Sequence, residues 1–418
     1  MISKSIQSCR EAIYSDLQQC RSGTFKLFTG IDYDTFCRQA HPDFSPVGWH
    51  LGHIAYTEDL WLLQRCAGLE PVFPEYHRLF AADILPKKQR VFLPTLPEVE
   101  LYLDAVRKKV LDYLEVAPID EQERLWRFII QHESQHCETV AFVLQMQRKK
   151  QEEGRRKKEE GRLITDSRLP ITDSPAIEIP GGEFYMGSDA AEALDNERSR
   201  HLCYLEAYSI DRYPVTCGQY RDFMESGGYQ NPDWWSADGW KWLQSAKVDR
   251  PLYWSENPAF NNHPVCGVSW YEAEAYCNFI GKRLPSEAEW EKAATWDAAN
   301  QTYRIYPWGE EPPNGSLCNH GNNIANTSPV DAFPKGASAA GCCDMLGNVW
   351  EWTASTFDAY PGFESYPYRG YSQVYFDGEH RVLKGGSWAT FPQALRSSFR
   401  NWYYPGVRQI ISGFRCAK

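Results

Sequence analysis

The stretch Leu125–Val143 reads LWRFIIQHESQHCETVAFV, and its spacing decides the first half of the chain. Leu125, Ile129, His132, His136, Val140 and Val143 follow one another at steps of four, three, four, four and three. That is a single stripe on a helix, the face that points into a bundle. His132 and His136 are four residues apart, so both imidazoles leave one face about a turn apart and can reach one ion. With Glu133 between them they spell H-E-x-x-H. The array suits a zinc protease with Glu133 as general base. It equally suits a non-haem iron oxygenase that draws a third ligand from elsewhere and keeps positions open for substrate and oxygen.

Working outward, three more segments carry helical periodicity. Val99, Leu103, Val106, Val110 and Leu114 follow Pro97. Pro46 stands where a helix begins, ahead of Trp49, Ile54 and Leu60-Trp61-Leu62-Leu63. Ile6, Cys9, Ile13 and Leu17 mark the first helix. An antiparallel four-helix bundle is the simplest packing, and bundles build metal sites from inward side chains. Burying two imidazoles without partners is costly, which favours a metal at His132 and His136. The third ligand is His50 or His53; both can face the bundle, and spacing does not separate them.

Beyond the helices, Arg148–Arg155 is nearly repeated as Arg156–Arg162, and Ile164-Thr165-Asp166-Ser167 recurs as Ile171-Thr172-Asp173-Ser174. The first repeat pair holds eight basic and four acidic side chains, the mixed-sign pattern of a solvated linker or helix extension. Residues 148–175 are therefore expected to join a first domain, 1–147, to a second, 176–418. The second has short segments split by Gly, Pro, Asn and Asp. Helical periodicity there is brief, mainly at Ser269–Gly281 and Ser286–Ala294, and a loop-rich α+β domain is expected.

Bulk properties narrow the function. At 418 residues two domains are the default, and 43% hydrophobic residues with 16 Trp describe a packed protein. A net charge of −11 argues against nucleic acid or an anionic membrane as partner. The N-terminus lacks the apolar core of a signal peptide, and no apolar run is long enough to span a bilayer. The 13 Cys, an odd count without a C-x-x-C pair, suit free thiols in a reducing compartment. A soluble cytoplasmic protein is expected.

The wording of the second domain is distinctive. Ile179-Pro180-Gly181-Gly182-Glu183-Phe184-Tyr185-Met186-Gly187 opens it, and Val268-Ser269-Trp270 leads to Gly281-Lys282-Arg283-Leu284-Pro285-Ser286-Glu287-Ala288-Glu289-Trp290-Glu291. Later come Gly347-Asn348-Val349-Trp350-Glu351-Trp352, Gly385-Gly386-Ser387-Trp388 and Gly413-Phe414-Arg415. In this order they resemble the formylglycine-generating-enzyme (sulfatase-modifying factor) family, implying a C-type-lectin-like fold in which the Trp and Gly residues serve turns and packing. That family binds copper through two cysteines near its C-terminus. Here Trp388–Arg415 holds none and Cys416 stands alone, so formylglycine chemistry is not expected. In the first domain, Trp49-His50-Leu51-Gly52-His53-Ile54 with Gln131–Glu138 resembles the three-histidine iron site of DinB-like bundles. Both halves together resemble the ergothioneine-type sulfoxide synthases, which join a thiol to C2 of the imidazole of hercynine (Nα-trimethylhistidine) using Fe(II) and O2.

The resemblance implies roles. It selects His53 with His132 and His136 as iron ligands; Glu133, one residue beyond a ligand and roughly 100° around the helix, is then expected to be an outer hydrogen-bond partner. Gln135 would hold the hercynine imidazole. Asn401 and Trp402, in Arg400–Pro405, would bind its carboxylate and trimethylammonium end, the latter by cation–π attraction. Tyr368 would be the proton donor, with Tyr371 assisting and Tyr366 nearby. Arg90 would pair with the carboxylate of the thiol substrate. Asn348 and Glu351 are candidates for a structural calcium site. The active site would lie in a cleft between the domains, beneath a lectin-like lid.

One departure bears on the sulfur donor. Members specific for γ-glutamylcysteine in the mycobacterial-type branch carry N-W-D in the C-terminal segment, followed shortly by Arg. Here Tyr403 stands at the Asp position and Val407 precedes Arg408. The thiol is therefore cysteine or γ-glutamylcysteine, with a selenium donor as a related alternative. Readings from other classes are a zinc-dependent hydrolase or transferase of the bundle family and a catalytically silent binding protein.

Overall fold

The computed structural model describes residues 6–156 and 174–418; most of the expected linker, residues 157–173, falls outside the described residues. The chain divides into two compact units near residue 158.

In the first unit, α1 (Ile6–Phe28), α3 (Val47–Glu58), α5 (Leu96–Leu114) and α6 (Ile119–Arg156) are the long helices, with short α2 (Tyr33–Cys37) and α4 (His77–Phe80) between them. Pro46 occupies the N-cap of α3. A capping box of Thr95 and Glu98 starts α5, with Pro97 in its first turn. The predicted stripes lie inward: Val99, Leu103, Val106, Val110 and Leu114 on α5, and Ile129, Val140 and Val143 on α6, are all buried. Ile6 is the exception at 50% exposed, because it sits at the helix end. Leu60–Leu63 does not continue α3 as an α-helix; Asp59–Cys66 is π-helical, which turns Leu62 and Leu63 into the core. α6 runs through Arg156, well into the charged repeats.

The helix directions differ from an all-antiparallel bundle. Arg10 bonds the carbonyls of Leu114 and Ala117, while Arg127 pairs with Asp16 and Cys20 meets Ile130. Thus α1 runs against α5 and along α6. His50 meets His136 and His53 meets His132, so α3 runs against α6. The long connection from Ala67 to Thr95 permits this arrangement, as in bundles with a crossover.

Two glycines on one face of α3 let loops approach it. A Cβ on Gly48 would lie 2.3 Å from the Phe36 ring, and one on Gly52 would lie 2.1 Å from the Phe80 ring. Phe36 on α2 and Phe80 on α4 are fully buried there.

The second unit is α+β. Strands β1 (Ala176–Ile179) and β4 (Tyr208–Asp211) pair antiparallel, as do β2 (Gly182–Met186) with β3 (His201–Leu205) and β5 (Trp296–Asp297) with β6 (Thr302–Tyr303). A four-stranded sheet has the order β10 (Ser412–Gly413), β7 (Trp350–Thr356), β8 (Arg381–Lys384), β9 (Asn401–Tyr403), with β9 at an edge. The two predicted helices are α9 (Trp270–Phe279) and α10 (Glu287–Thr295), each opened by a serine-glutamate capping box. Two more were not predicted: α7 (Cys217–Glu225), capped by Thr216 and Gln219, and α8 (Ala237–Ala246), capped by Ser236. Each has fewer than three turns, which give little periodicity in the sequence.

The motif tryptophans pack as expected. Trp290 and Trp352 are fully buried; Trp290 donates to Glu351 and Trp352 to the Val268 carbonyl. The calcium expectation for Asn348 and Glu351 finds no support, since their oxygens already have partners. Asn348 Oδ1 accepts from the Ser328 amide, and both Glu351 oxygens accept from Arg415. These oxygens are consumed inside the fold.

Candidate metal centre

Three imidazoles converge in the first unit. His53 on α3 and His132 and His136 on α6 offer one nitrogen each, all within 4.8 Å of one another. Ring centroids lie 5.1 Å (His53–His132), 4.8 Å (His53–His136) and 4.4 Å (His132–His136) apart. Small ring rotations bring such nitrogens to the ~2.1 Å bonds of a common ion.

The surroundings fit a metal. His53 Nδ1 donates to the Phe80 carbonyl at 2.6 Å, and since a carbonyl only accepts, the lone pair is left on Nε2. Trp49 stacks on the His53 ring at 4.6 Å and donates its indole N–H to the Leu79 carbonyl at 2.8 Å. One turn of backbone at the end of α4 therefore fixes both rings. Burial, above all, holds the imidazoles neutral: His53 falls to about 4, and His132 and His136 lie well below the usual value. Neutral imidazole is the form that ligates.

His50 is buried but is not among the converging nitrogens; its Nδ1 faces His136 Nδ1 at 2.8 Å. Of the two histidines that spacing left open, His53 is the one whose nitrogen converges with those of His132 and His136.

Glu133 points away from this centre. Its Oε1 accepts from Arg21 Nε at 2.8 Å and Thr24 Oγ1 at 2.6 Å, and its Oε2 from Arg107 at 2.8 Å. Arg107 and Arg21 also pair with Glu58. The four charges, one from each long helix, are buried together. Burial works to raise the Glu133 carboxyl, but Arg21 and Arg107 outweigh it and hold it at about 2. A carboxylate so committed is no general base for metal-bound water, which removes the zinc-protease reading. It also corrects the expected outer role: Glu133 bonds arginines, not a ligand imidazole.

Arg90 is buried in the same unit, with its guanidinium carbon 4.0 Å from the Trp49 ring centre. Its donors reach the carbonyls of Leu85 and Ala82 and the Ser45 hydroxyl, three of its five N–H groups among the described residues. Gln135 is half-buried on α6 beside His136.

In the second unit the structure gathers Tyr371, Trp402 and Tyr368. Trp402 on β9 stacks on Phe357 at 4.2 Å, Tyr371 meets it edge-on at 5.9 Å, and Tyr368 lies 6.4 Å from Tyr371. Tyr375, missed in the sequence reading, is 5.6 Å from Trp402. Desolvation first, then Tyr375 and Asp195, push the Tyr368 phenol up to about 12, so it keeps its proton at neutral pH. Asn401 Oδ1 accepts from the Trp402 amide.

Asp195 was missed as well. It accepts from the Tyr366 amide at 3.1 Å and from the Ser372 hydroxyl, bracketing the segment that carries Tyr368 and Tyr371. Residues so far apart in sequence leave no local signal. Arg400, buried before β9, pairs with Glu287 and donates to the Asp358 carbonyl. Arg408 is buried, donating to the Arg250 carbonyl and lying 3.5 Å from Glu272.

Residues 16–140 match the DinB superfamily, and residues 165–418 match the sulfatase-modifying factor enzyme 1-like domain. A hercynine oxygenase of Mycolicibacterium smegmatis is 38% identical over 98% of this chain and 99% of its own. That of Mycobacterium tuberculosis is 39% identical over 97% and 98%. The structure of PvdO from Pseudomonas aeruginosa aligns with 60% of this chain and 99% of its own, at 23% identity and a TM-score of 0.43. A histidine-bearing bundle joined to this α+β domain defines a class of iron-dependent oxidoreductases. The chain belongs to the hercynine oxygenase family. Among the described residues, no helix is long and apolar enough to cross a membrane.

Proposed function

We propose that the chain is an iron(II)- and O2-dependent sulfoxide synthase that joins a thiol to C2 of the hercynine imidazole, with cysteine as the thiol. The observation carrying it is the meeting of three neutral imidazoles with His53 locked by the Phe80 carbonyl. His53, His132 and His136 would hold ferrous iron, whose chemistry there would be to activate O2, the four-electron oxidant that C–S bond formation and sulfur oxygenation together require, one oxygen atom passing to sulfur and the other to water.

This chain's residues then divide the remaining work. Gln135 donates to the hercynine ring nitrogen that does not face the metal, fixing which carbon meets sulfur. Trp402, braced by Phe357, takes the trimethylammonium by cation–π attraction with Tyr371, and Asn401 the carboxylate. Tyr368 supplies the proton, its high affinity for it keeping the donor loaded at neutral pH. The two remaining N–H groups of Arg90 take the carboxylate of the thiol. The preference for cysteine rests on Tyr403 at the position of an acid and on Arg408, which is turned to Glu272.

The test is anaerobic loading with Fe(II), then O2 and hercynine with cysteine or γ-glutamylcysteine, following oxygen uptake and product mass. Sulfoxide with cysteine is expected. Product only with γ-glutamylcysteine overturns the donor; no sulfoxide with either overturns the reaction.

A further inference from the structure

The facing Nδ1 atoms of His50 and His136, 2.8 Å apart, require one proton between them, since two lone pairs at that distance repel. There are two ways to place it. If His50 donates, His136 carries its own proton on Nε2, and neither of its nitrogens is free to ligate. If His136 donates, its Nε2 keeps a lone pair available to a metal, and His50 carries its proton on its own Nε2. Only the second makes His136 a ligand.

We propose that His50 is the positioning residue of the centre: it accepts the Nδ1–H of His136 and so selects the ring face and tautomer with which His136 meets the metal. The inference rests on the iron reading above and goes beyond it, because it assigns the fourth histidine a role outside the ligand set. His53 and His136 are then oriented by different acceptors, a backbone carbonyl and a neutral imidazole. His50 is itself held rigidly. It is buried, and its ring meets Trp49 edge-on at 5.4 Å. Its Nε2 makes no well-formed hydrogen bond among the described residues, although the Ser45 backbone acts on the ring as an acceptor would.

The test is anaerobic titration of the full chain with Co(II), whose visible bands report ligand number and geometry, in wild type, His50→Phe and His50→Asn. The Asn carboxamide can place an oxygen acceptor near the position of Nδ1. Phe is expected to weaken Co(II) binding about 10- to 100-fold and shift the bands, and Asn to restore most of both. Equal affinity and spectra in all three overturn the proposal. So does a loss of one ligand from the coordination sphere in both variants, which would make His50 a ligand. Should the Phe variant not fold, the Asn variant decides: near-wild-type binding with four-histidine ligation absent supports the proposal, and a lost ligand overturns it. Failure of wild type to bind Co(II) would bring down the iron reading. Binding without sulfoxide formation would bring down only the reaction.

Discussion

His53 Nδ1 lies 2.6 Å from the carbonyl oxygen of Phe80, and this bond ties the end of α4 to the orientation of a candidate ligand on α3. The approach that permits it depends on Gly52, since a Cβ there would sit 2.1 Å from the Phe80 ring. Packing, ring orientation and metal affinity are therefore coupled at one turn of helix.

Gly52→Ala is the direct probe of that coupling. Overpacking against a buried ring is expected to cost about 1–3 kcal/mol in thermal or denaturant unfolding. The same variant is expected to weaken Co(II) binding, because Phe80 moves and takes its carbonyl from His53. Unchanged metal affinity alongside lost stability would separate the two effects.

Replacing any of His53, His132 or His136 by Ala is expected to abolish stoichiometric iron binding and, with it, sulfoxide formation. Metal content after desalting measures the first and mass spectrometry the second. An Ala variant that retains one equivalent of tightly held iron would exclude that histidine from the ligand set.

Glu133 lends stability rather than chemistry. Its carboxyl is held at about 2 in the fold against an ordinary value of 4.5, so its contribution is present above pH 4.5 and is lost as pH falls towards 2. Glu133→Ala leaves Arg21 and Arg107 to share the single carboxylate of Glu58, one buried positive charge in excess, and is expected to cost about 3–5 kcal/mol. Urea unfolding of wild type and variant between pH 3 and 7 checks both the magnitude and the narrowing of the gap at low pH.

Tyr368→Phe is expected to lower the rate of sulfoxide formation by about 10²–10⁴-fold while leaving Co(II) affinity unchanged. Tyr371→Phe, which keeps the ring beside Trp402, is expected to have the smaller effect. Single-turnover product analysis orders the two; the reverse order would exchange their roles.

Asp195→Ala removes the acceptor that holds the Tyr366 amide and the Ser372 hydroxyl. The segment between them should then be cleaved faster by protease, and sulfoxide formation should slow without loss of bound metal. An unaltered cleavage pattern would show that other contacts suffice to hold it.

The sequence by itself determined what repeats locally. The stripe from Leu125 to Val143 placed His132 and His136 on one inward helix face because a helix returns to the same side every three to four residues. The ordered tryptophan and glycine motifs identified the second unit, and brief helical periodicity at Ser269–Gly281 and Ser286–Ala294 marked α9 and α10. Tertiary structure decided what depends on distant partners. Local spacing makes His50 and His53 equivalent, and they part only because Phe80 faces one and His136 the other. Glu133 reads as a base beside a metal, but Arg21 on α1 and Arg107 on α5 claim it. Asp195 and Tyr375 carried no signal, since their partners come together only when the chain folds back across long stretches of sequence. Periodicity records which way a side chain faces; only packing determines what it meets there.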